Sequence, residues 1–173
     1  MARPQRSPLG SPLLALALAL VLLAGCNGSS DVPDPPTGPS GPVTQAGIEY
    51  SADTRIMESF PVQLDTRVTM TNRTAQRATV ELGSGCPINL RAYRDAARTQ
   101  LAWDESSGRV CTMQIQIVEL EPGASAERNT RTDAREILGD SLPDGRYWLS
   151  ASVQVVGNGL VVPAGAADLG VPR

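Results

Sequence analysis

Apolar residues recur at every second position through most of the chain beyond Ile48, and this spacing constrains the fold more than any other feature. Side chains of a β-strand alternate between two faces, whereas a helix repeats near 3.6 residues. Between Val62 and Met70 the even positions carry Val62, Leu64, Thr66, Val68 and Met70, while Gln63, Asp65, Arg67 and Thr69 face the other way. Ala78, Val80 and Leu82 repeat the pattern, as do Ile88, Leu90 and Ala92. A short strand is expected at Leu101 to Trp103. Cys111, Met113, Ile115 and Ile117, separated by Thr112, Gln114 and Gln116, give the strongest alternation in the chain. Ala124 to Thr132 reads as a polar edge strand, and Ala134 to Leu138 as a helical turn. Tyr147, Leu149, Ala151, Val153 and Val155 form the apolar set of a further strand, and a last one lies near Leu160 to Val162.

Turn chemistry separates these segments. Gly83-Ser84-Gly85, Asp104 to Gly108, Glu121-Pro122-Gly123, Pro143-Asp144-Gly145 and Gly157-Asn158-Gly159 supply glycine for positive φ and proline for a preset first turn angle. Seven or eight short strands with no long helix predict an all-β fold, an immunoglobulin-like antiparallel β-sandwich. An eight-stranded closed barrel is the alternative that patterning does not separate from it. With six aromatic residues in the whole chain, the core is expected to be aliphatic.

The N-terminal stretch follows different rules. Arg3 and Arg6 precede an unbroken apolar run from Leu13 to Ala24. A positive n-region, a short h-region and small residues at its end are the parts of a secretory signal. The run is shorter than the roughly 20 residues a spanning helix needs. It closes on Leu23-Ala24-Gly25-Cys26, which resembles the lipobox of bacterial lipoproteins. That resemblance implies cleavage before Cys26, a lipid on its sulfur, acylation of the new N-terminus and hence attachment to a lipid bilayer. An ordinary signal peptide with an incidental cysteine is the alternative. In the lipoprotein sorting pattern, Asp after the lipidated cysteine retains a protein at the inner membrane. Asn27 stands there instead, so an outer-membrane or periplasm-facing location is expected.

Asn27 to Gly47 carries five prolines among Gly, Ser, Thr and Asp. Such a segment buries too little to offset the entropy of ordering, and it predicts an extended, mobile linker. The expected organisation is therefore a signal peptide over 1–25, a lipidated cysteine and linker over 26–47, and a sandwich domain over 48–173.

Composition removes several chemistries. The chain has no histidine, and all 15 basic residues are arginine, against 18 acidic ones. Ser-His-Asp and Cys-His catalysis and imidazole metal ligation are absent; no catalytic residue, metal or cofactor is expected. A mildly acidic chain with dispersed arginines also lacks the basic patch of a nucleic-acid binder. After Cys26, the even pair Cys86 and Cys111 reads as a disulfide in an exported protein, in preference to a redox or metal pair.

Few residues stand out as binding candidates. Trp148 falls on the polar face of its strand and is expected to point away from the core as a contact residue, with Trp103 as a companion for sugar stacking. Arg91, Arg94 and Arg98 could form a strip for phosphate or carboxylate. Asp104-Glu105 is read as a solvated turn in preference to an acid/base pair or a Ca²⁺ ligand set. Ser84 between two glycines is read as a turn, since no base accompanies it.

The order of features resembles the BsuPI-type family of proteinase-inhibitor-like domains. The matching parts are Met70-Thr71-Asn72, the strand Ile88 to Tyr93, Leu101-Ala102-Trp103 before a Gly turn, Leu120-Glu121-Pro122-Gly123, and Leu142-Pro143-Asp144-Gly145 leading into Tyr147. The resemblance covers about Phe60 to Leu169. It implies an immunoglobulin-like sandwich and, for the founding members, inhibition of an intracellular serine proteinase. The chain departs from that pattern in its export signal and its cysteine pair. Two functions are therefore carried forward: a membrane-anchored, non-enzymatic lipoprotein that binds a protein or envelope partner, and an inhibitor of an exported serine proteinase.

Overall fold

The computed structural model describes residues 41–57, 59 and 61–170. Cys26 and the expected signal peptide lie outside them, as does most of the expected linker. The folded unit is all-β and antiparallel, as predicted, but the described residues form ten strands where the spacing predicts seven or eight. They are β1 (Val43–Gln45), β2 (Ile48–Met57), β3 (Gln63–Asn72), β4 (Ala78–Leu82), β5 (Ile88–Tyr93), β6 (Leu101–Asp104), β7 (Gln116–Leu120), β8 (Ser125–Asp133), β9 (Gly145–Val153) and β10 (Leu160–Leu169). One helical turn, α1 (Ala134–Leu138), follows β8. Two four-stranded sheets, ordered β1-β2-β3-β8 and β10-β9-β5-β6, form the sandwich, with β4 and β7 as a separate pair.

The two additional strands come from the hairpin at the start of the unit. β1 pairs with β2 through Gln45↔Ile48, so Ala46-Gly47 is a two-residue turn. Both residues have positive φ, 50° and 78°, the requirement of a type I′ hairpin. A Cβ on Gly47 would also collide with the Thr74 side chain. The structure thus corrects the expected boundary at Ile48, because Val43–Gln45 already belongs to the sheet. β2 then runs beside β3 from Ile48↔Asn72 to Met57↔Gln63. Opposite charges face each other at Asp53↔Arg67 and Arg55↔Asp65, and the Thr54 and Thr66 hydroxyls hydrogen-bond at 2.9 Å. Cross-strand pairs of this kind hold a strand whose apolar pattern fades beyond Ala52.

The core lies between the sheets in two clusters. One gathers Ile48, Val68 and Met70 from the first sheet, Ile88 and Val153 from the second, and Val80, Leu82, Val118 and Leu120 from the β4–β7 pair. The other joins Leu64 to Leu90, Leu149 and Leu169, and is closed by Ala134, Ile137 and Leu138 of α1. β3 obeys its expected phase: every even position from Leu64 to Asn72 is buried. Burial of each such large aliphatic side chain contributes roughly 1.5–3 kcal/mol. At the outer edge of the second sheet, β10 contains Pro163, and its register against β9 shifts between Pro163 and Ala166.

Candidate functional site

The region that departs most from a regular sandwich is the connection between β6 and β7. After β6 the chain makes a 3₁₀ turn at Glu105–Ser107, then runs without regular secondary structure to Gln116. The alternation predicts a strand over Cys111 to Ile117, and the structure corrects it. β7 begins at Gln116, opposite Leu82, and its phase is the reverse of that expected. Val118 faces Val80 and Leu120 faces Ala78, so even positions turn inward. The odd-numbered apolar residues are left outside, with Met113 96%, Ile115 55% and Ile117 64% exposed, and Val110, ahead of the disulfide, is completely exposed.

This loop is pinned at both ends. On one side Cys111 is bonded to Cys86, with Cα atoms 5.6 Å apart, as the even cysteine count predicts. The Gly85 N–H donates to the Thr112 carbonyl at 2.9 Å, and a Cβ on Gly85 would collide with the Thr112 side chain. Glycine is required there for the close approach. Ser84 accepts the Cys86 N–H on its hydroxyl at 3.0 Å, which gives the Gly-Ser-Gly segment a structural task.

On the other side stands Glu105. The sequence reads Asp104-Glu105 as a solvated turn, whereas Glu105 is only 7% exposed. One carboxylate oxygen accepts the Leu90 N–H at 2.7 Å. The other accepts from the Thr130 hydroxyl at 2.8 Å and from Arg109 Nη1 at 2.5 Å. Leu90 lies just past the last β5–β6 pair, Arg91↔Asp104, so the carboxylate replaces a missing ladder partner. Thr130 is on β8, the edge of the facing sheet. Glu105 therefore joins the two sheets along their open side and holds Arg109 at the start of the loop.

Asp104 is equally committed. It accepts from Arg91 Nε at 2.7 Å and from the Ser106 N–H and hydroxyl at 2.9 and 2.6 Å. Burial alone would raise its carboxyl pKa; the Ser106 hydrogen bonds and the Arg91 charge outweigh burial and hold it below the usual value. A depressed folded-state pKa stabilises the fold above the unfolded value of about 3.9, and the contribution is lost as pH falls through the folded value. Asp104→Asn should unfold more easily than the wild type by about 1 kcal/mol at pH 7, a cap and a partly buried ion pair being lost together. The gap in urea midpoint should narrow as the pH falls below about 4. A gap independent of pH would show that the carboxylate charge is not involved.

The other candidates do not converge. Trp103 sits opposite Ala92 and packs against the core cluster of Leu90 and Leu149. Trp148 sits opposite Tyr93, in the alternate phase of β9 and thus on the other face of the sheet. It is half-buried, and its indole N–H is buried without a hydrogen-bond partner among the described residues. The two tryptophans share no stacking surface. β9, an inner strand of its sheet, is buried on both faces, Ser150 and Ser152 as well as Leu149, Ala151 and Val153. Arg91 is paired with Asp104, Arg98 donates to the Leu149 and Gly165 carbonyls at 3.3 and 3.4 Å, and Arg94 is exposed. Among the described residues no group of acidic or cysteine side chains is arranged to hold a metal ion, and no helix is long and apolar enough to cross a membrane. What sequence reasoning missed is Glu105, whose partners are distant in the chain, and the exposure of Val110 and Met113.

Comparison with known proteins places this arrangement in context. No curated protein matches the chain. Among solved structures, the ApaA protein from Bordetella pertussis overlaps at 19% identity and a TM-score of 0.39, over 78% of this chain and 98% of its own. A β-glucosidase from Erythrobacter marinus overlaps at 16% identity and 0.35, over 68% of this chain but 15% of the enzyme. A β-glucosidase from Kluyveromyces marxianus in complex with glucose does so at 11% and 0.38, over 70% and 14%. Overlaps this loose assign no activity. The model of the family described as BsuPI, intracellular proteinase inhibitor, matches residues 50–158. That span runs from β2 past the end of β9 and includes the disulfide, Glu105 and the loop between them. The chain belongs to the BsuPI proteinase-inhibitor family.

Proposed function

We propose that this protein is a proteinase inhibitor that acts outside the cytoplasm, tethered to a bacterial envelope membrane by lipid on Cys26. The observation that carries the inhibitor reading is the family match, which spans most of the sandwich. The exported setting is supported by the arginine-flanked apolar run ending in Leu23-Ala24-Gly25-Cys26 and by the Cys86–Cys111 bridge, since disulfides persist in oxidising compartments. Acylation at both the sulfur and the amine of Cys26 meets the two-signal requirement for stable anchoring. The proline-rich stretch after Cys26 would carry the sandwich clear of the bilayer, at up to roughly 3.1 Å per residue. Asn27 favours the outer membrane over the inner.

Two measurements test the two halves of this reading. Titrating the full chain against serine proteinases should abolish the activity of at least one at near-equimolar ratio. No loss of activity with subtilisin, chymotrypsin or trypsin at a tenfold molar excess, on the order of what a micromolar inhibitor needs, would overturn the inhibitor reading. Cys26→Ser should move the protein from the membrane pellet to the soluble or unprocessed pool. Mature, membrane-bound protein in that variant would overturn the anchor.

A further inference from the structure

We infer that the disulfide-pinned loop from Arg109 to Gln116 is the segment that enters a proteinase active site, with Met113 filling an apolar primary-specificity pocket. This rests on the inhibitor reading above and names the contact residues and the class of target.

Four of the eight large hydrophobic residues exposed among the described residues, Val110, Met113, Ile115 and Ile117, fall within this one stretch and the first two residues of β7. Val156 is exposed as well and lies against Gly83, in the Gly-Ser-Gly segment whose Gly85 pins the loop. Apolar side chains gathered in this way mark a contact surface. From Val110 to Val118 the sequence carries no charge, so the partner surface it fits is apolar. Met113 is 96% exposed and stands two residues past the disulfide. An unbranched, adaptable thioether suits a deep apolar slot, the kind of pocket that sets the specificity of chymotrypsin-like cleavage.

The backbone is equally suited. Neither Met113 nor Gln114 makes a backbone hydrogen bond to another described residue, so their N–H and C=O groups are free to pair with an enzyme's substrate-binding strand, as in β-strand addition. Yet the loop is not loose. Arg109 is held by Glu105 and Thr130, Cys111 by Cys86, the Thr112 carbonyl by Gly85, and Gln116 by its place opposite Leu82. Two residues after the disulfide, Met113 is presented on a segment already ordered on both sides. Ordering a loop in advance strengthens binding, because less freedom is lost on association. A substrate would present the same residues on a flexible chain; the anchors make the difference between substrate and inhibitor. No bond forms or breaks in this complex.

The test compares the full chain with three variants against subtilisin, chymotrypsin and trypsin. Met113→Asp should weaken inhibition of the apolar-pocket enzymes by about 100-fold, the effect of losing a central hot spot. Met113→Arg should weaken it likewise and confer trypsin inhibition that the wild type lacks. Ile56→Asp, which changes an exposed apolar residue on β2 away from the loop, should leave inhibition unaltered. Both sites are solvent-exposed, and circular dichroism of each variant should match the wild type. Wild-type inhibition that is indifferent to both Met113 changes overturns the loop assignment and leaves the inhibitor reading standing. No wild-type inhibition of any enzyme overturns both. Sedimentation that shows a dimer dissociated by Met113→Asp, with inhibition intact, would make the patch a contact between copies of this chain and would equally overturn the assignment.

Discussion

Replacing Cys86 and Cys111 together by serine should lower the unfolding free energy by about 3.5 kcal/mol. The bridge closes 25 residues of chain, and its absence frees the unfolded ensemble to open. The folded side contributes less to the loss, because the neighbouring contacts do not depend on the sulfur atoms. The Gly85 N–H still reaches the Thr112 carbonyl, and Leu82 still faces Gln116 across the β4–β7 pair. The urea midpoint should therefore fall while the slope of unfolding stays the same or steepens, since a chain without a cross-link exposes more surface. Inhibition, where present, should weaken in the same variant at concentrations of urea far below the midpoint, as the loop gains freedom. A loss under 1 kcal/mol would mean that residues 86–111 remain collapsed in the unfolded chain.

Asn72→Ala should be nearly as damaging, at about 3 kcal/mol. Asn72 is fully buried at the end of β3. Its amide nitrogen donates to the carbonyls of Gln76, Leu120 and Glu121 at 2.7, 3.0 and 3.3 Å. Its oxygen accepts the Thr74 N–H and hydroxyl at 2.9 and 2.7 Å. Its backbone N–H donates to the Ala124 carbonyl and its own carbonyl accepts from Gly123. One side chain thus fixes the turn after β3 and the turn after β7 against each other. Alanine leaves this set of buried polar groups without partners, and the desolvation of each is then uncompensated. Asn72→Asp should be worse still at pH 7, because a carboxylate oxygen would face three carbonyls. That carboxyl would be easier to keep protonated in the fold, so the variant should be most stable below about pH 4 and lose stability as the pH rises. Urea melts of both variants at pH 4 and pH 7 measure the difference. A loss below 1 kcal/mol in Asn72→Ala would show that water takes over the five contacts.

The family resemblance in the sequence includes Met70-Thr71-Asn72, and this network gives that segment its physical reason. Other parts of the fold were legible for simpler causes. β3 lies with one face on the core and one toward solvent, so its alternation reads directly. β8, with its polar sequence, is at the edge of its sheet as expected. The hairpin β1–β2 escaped notice because its turn places alanine at positive φ, where asparagine, aspartate or glycine is the usual signal. β7 was misread because alternation alone does not say which face is buried, nor that a strand exists at all. Cys111 to Ile117 alternates as a strand would, yet only Gln116 and Ile117 belong to one. Glu105 left no trace in the pattern, since its partners Leu90 and Thr130 lie 15 and 25 residues away and a buried carboxylate has no sequence period. The candidate site was legible only in its cysteines. Its exposed apolar residues were assigned to the core for the good reason that apolar residues are most often found there.

The interruption of β10 at Pro163 bears on life at high density. An open sandwich has unpaired strands along its rims, and each is a template on which another chain can add a strand. Pro163 has no N–H to offer, and the register shift that follows breaks the row of donors and acceptors. The opposite rim of that sheet is the four-residue β6. In the other sheet the rims are the three-residue β1 and the charge-bearing β8, with Glu127, Arg128 and Arg131 along it. Every rim of these two sheets is short, broken or charged. Copies confined side by side at a surface would therefore meet repeatedly without these two sheets zipping edge to edge, and the apolar loop between β6 and β7 would stay available for contact.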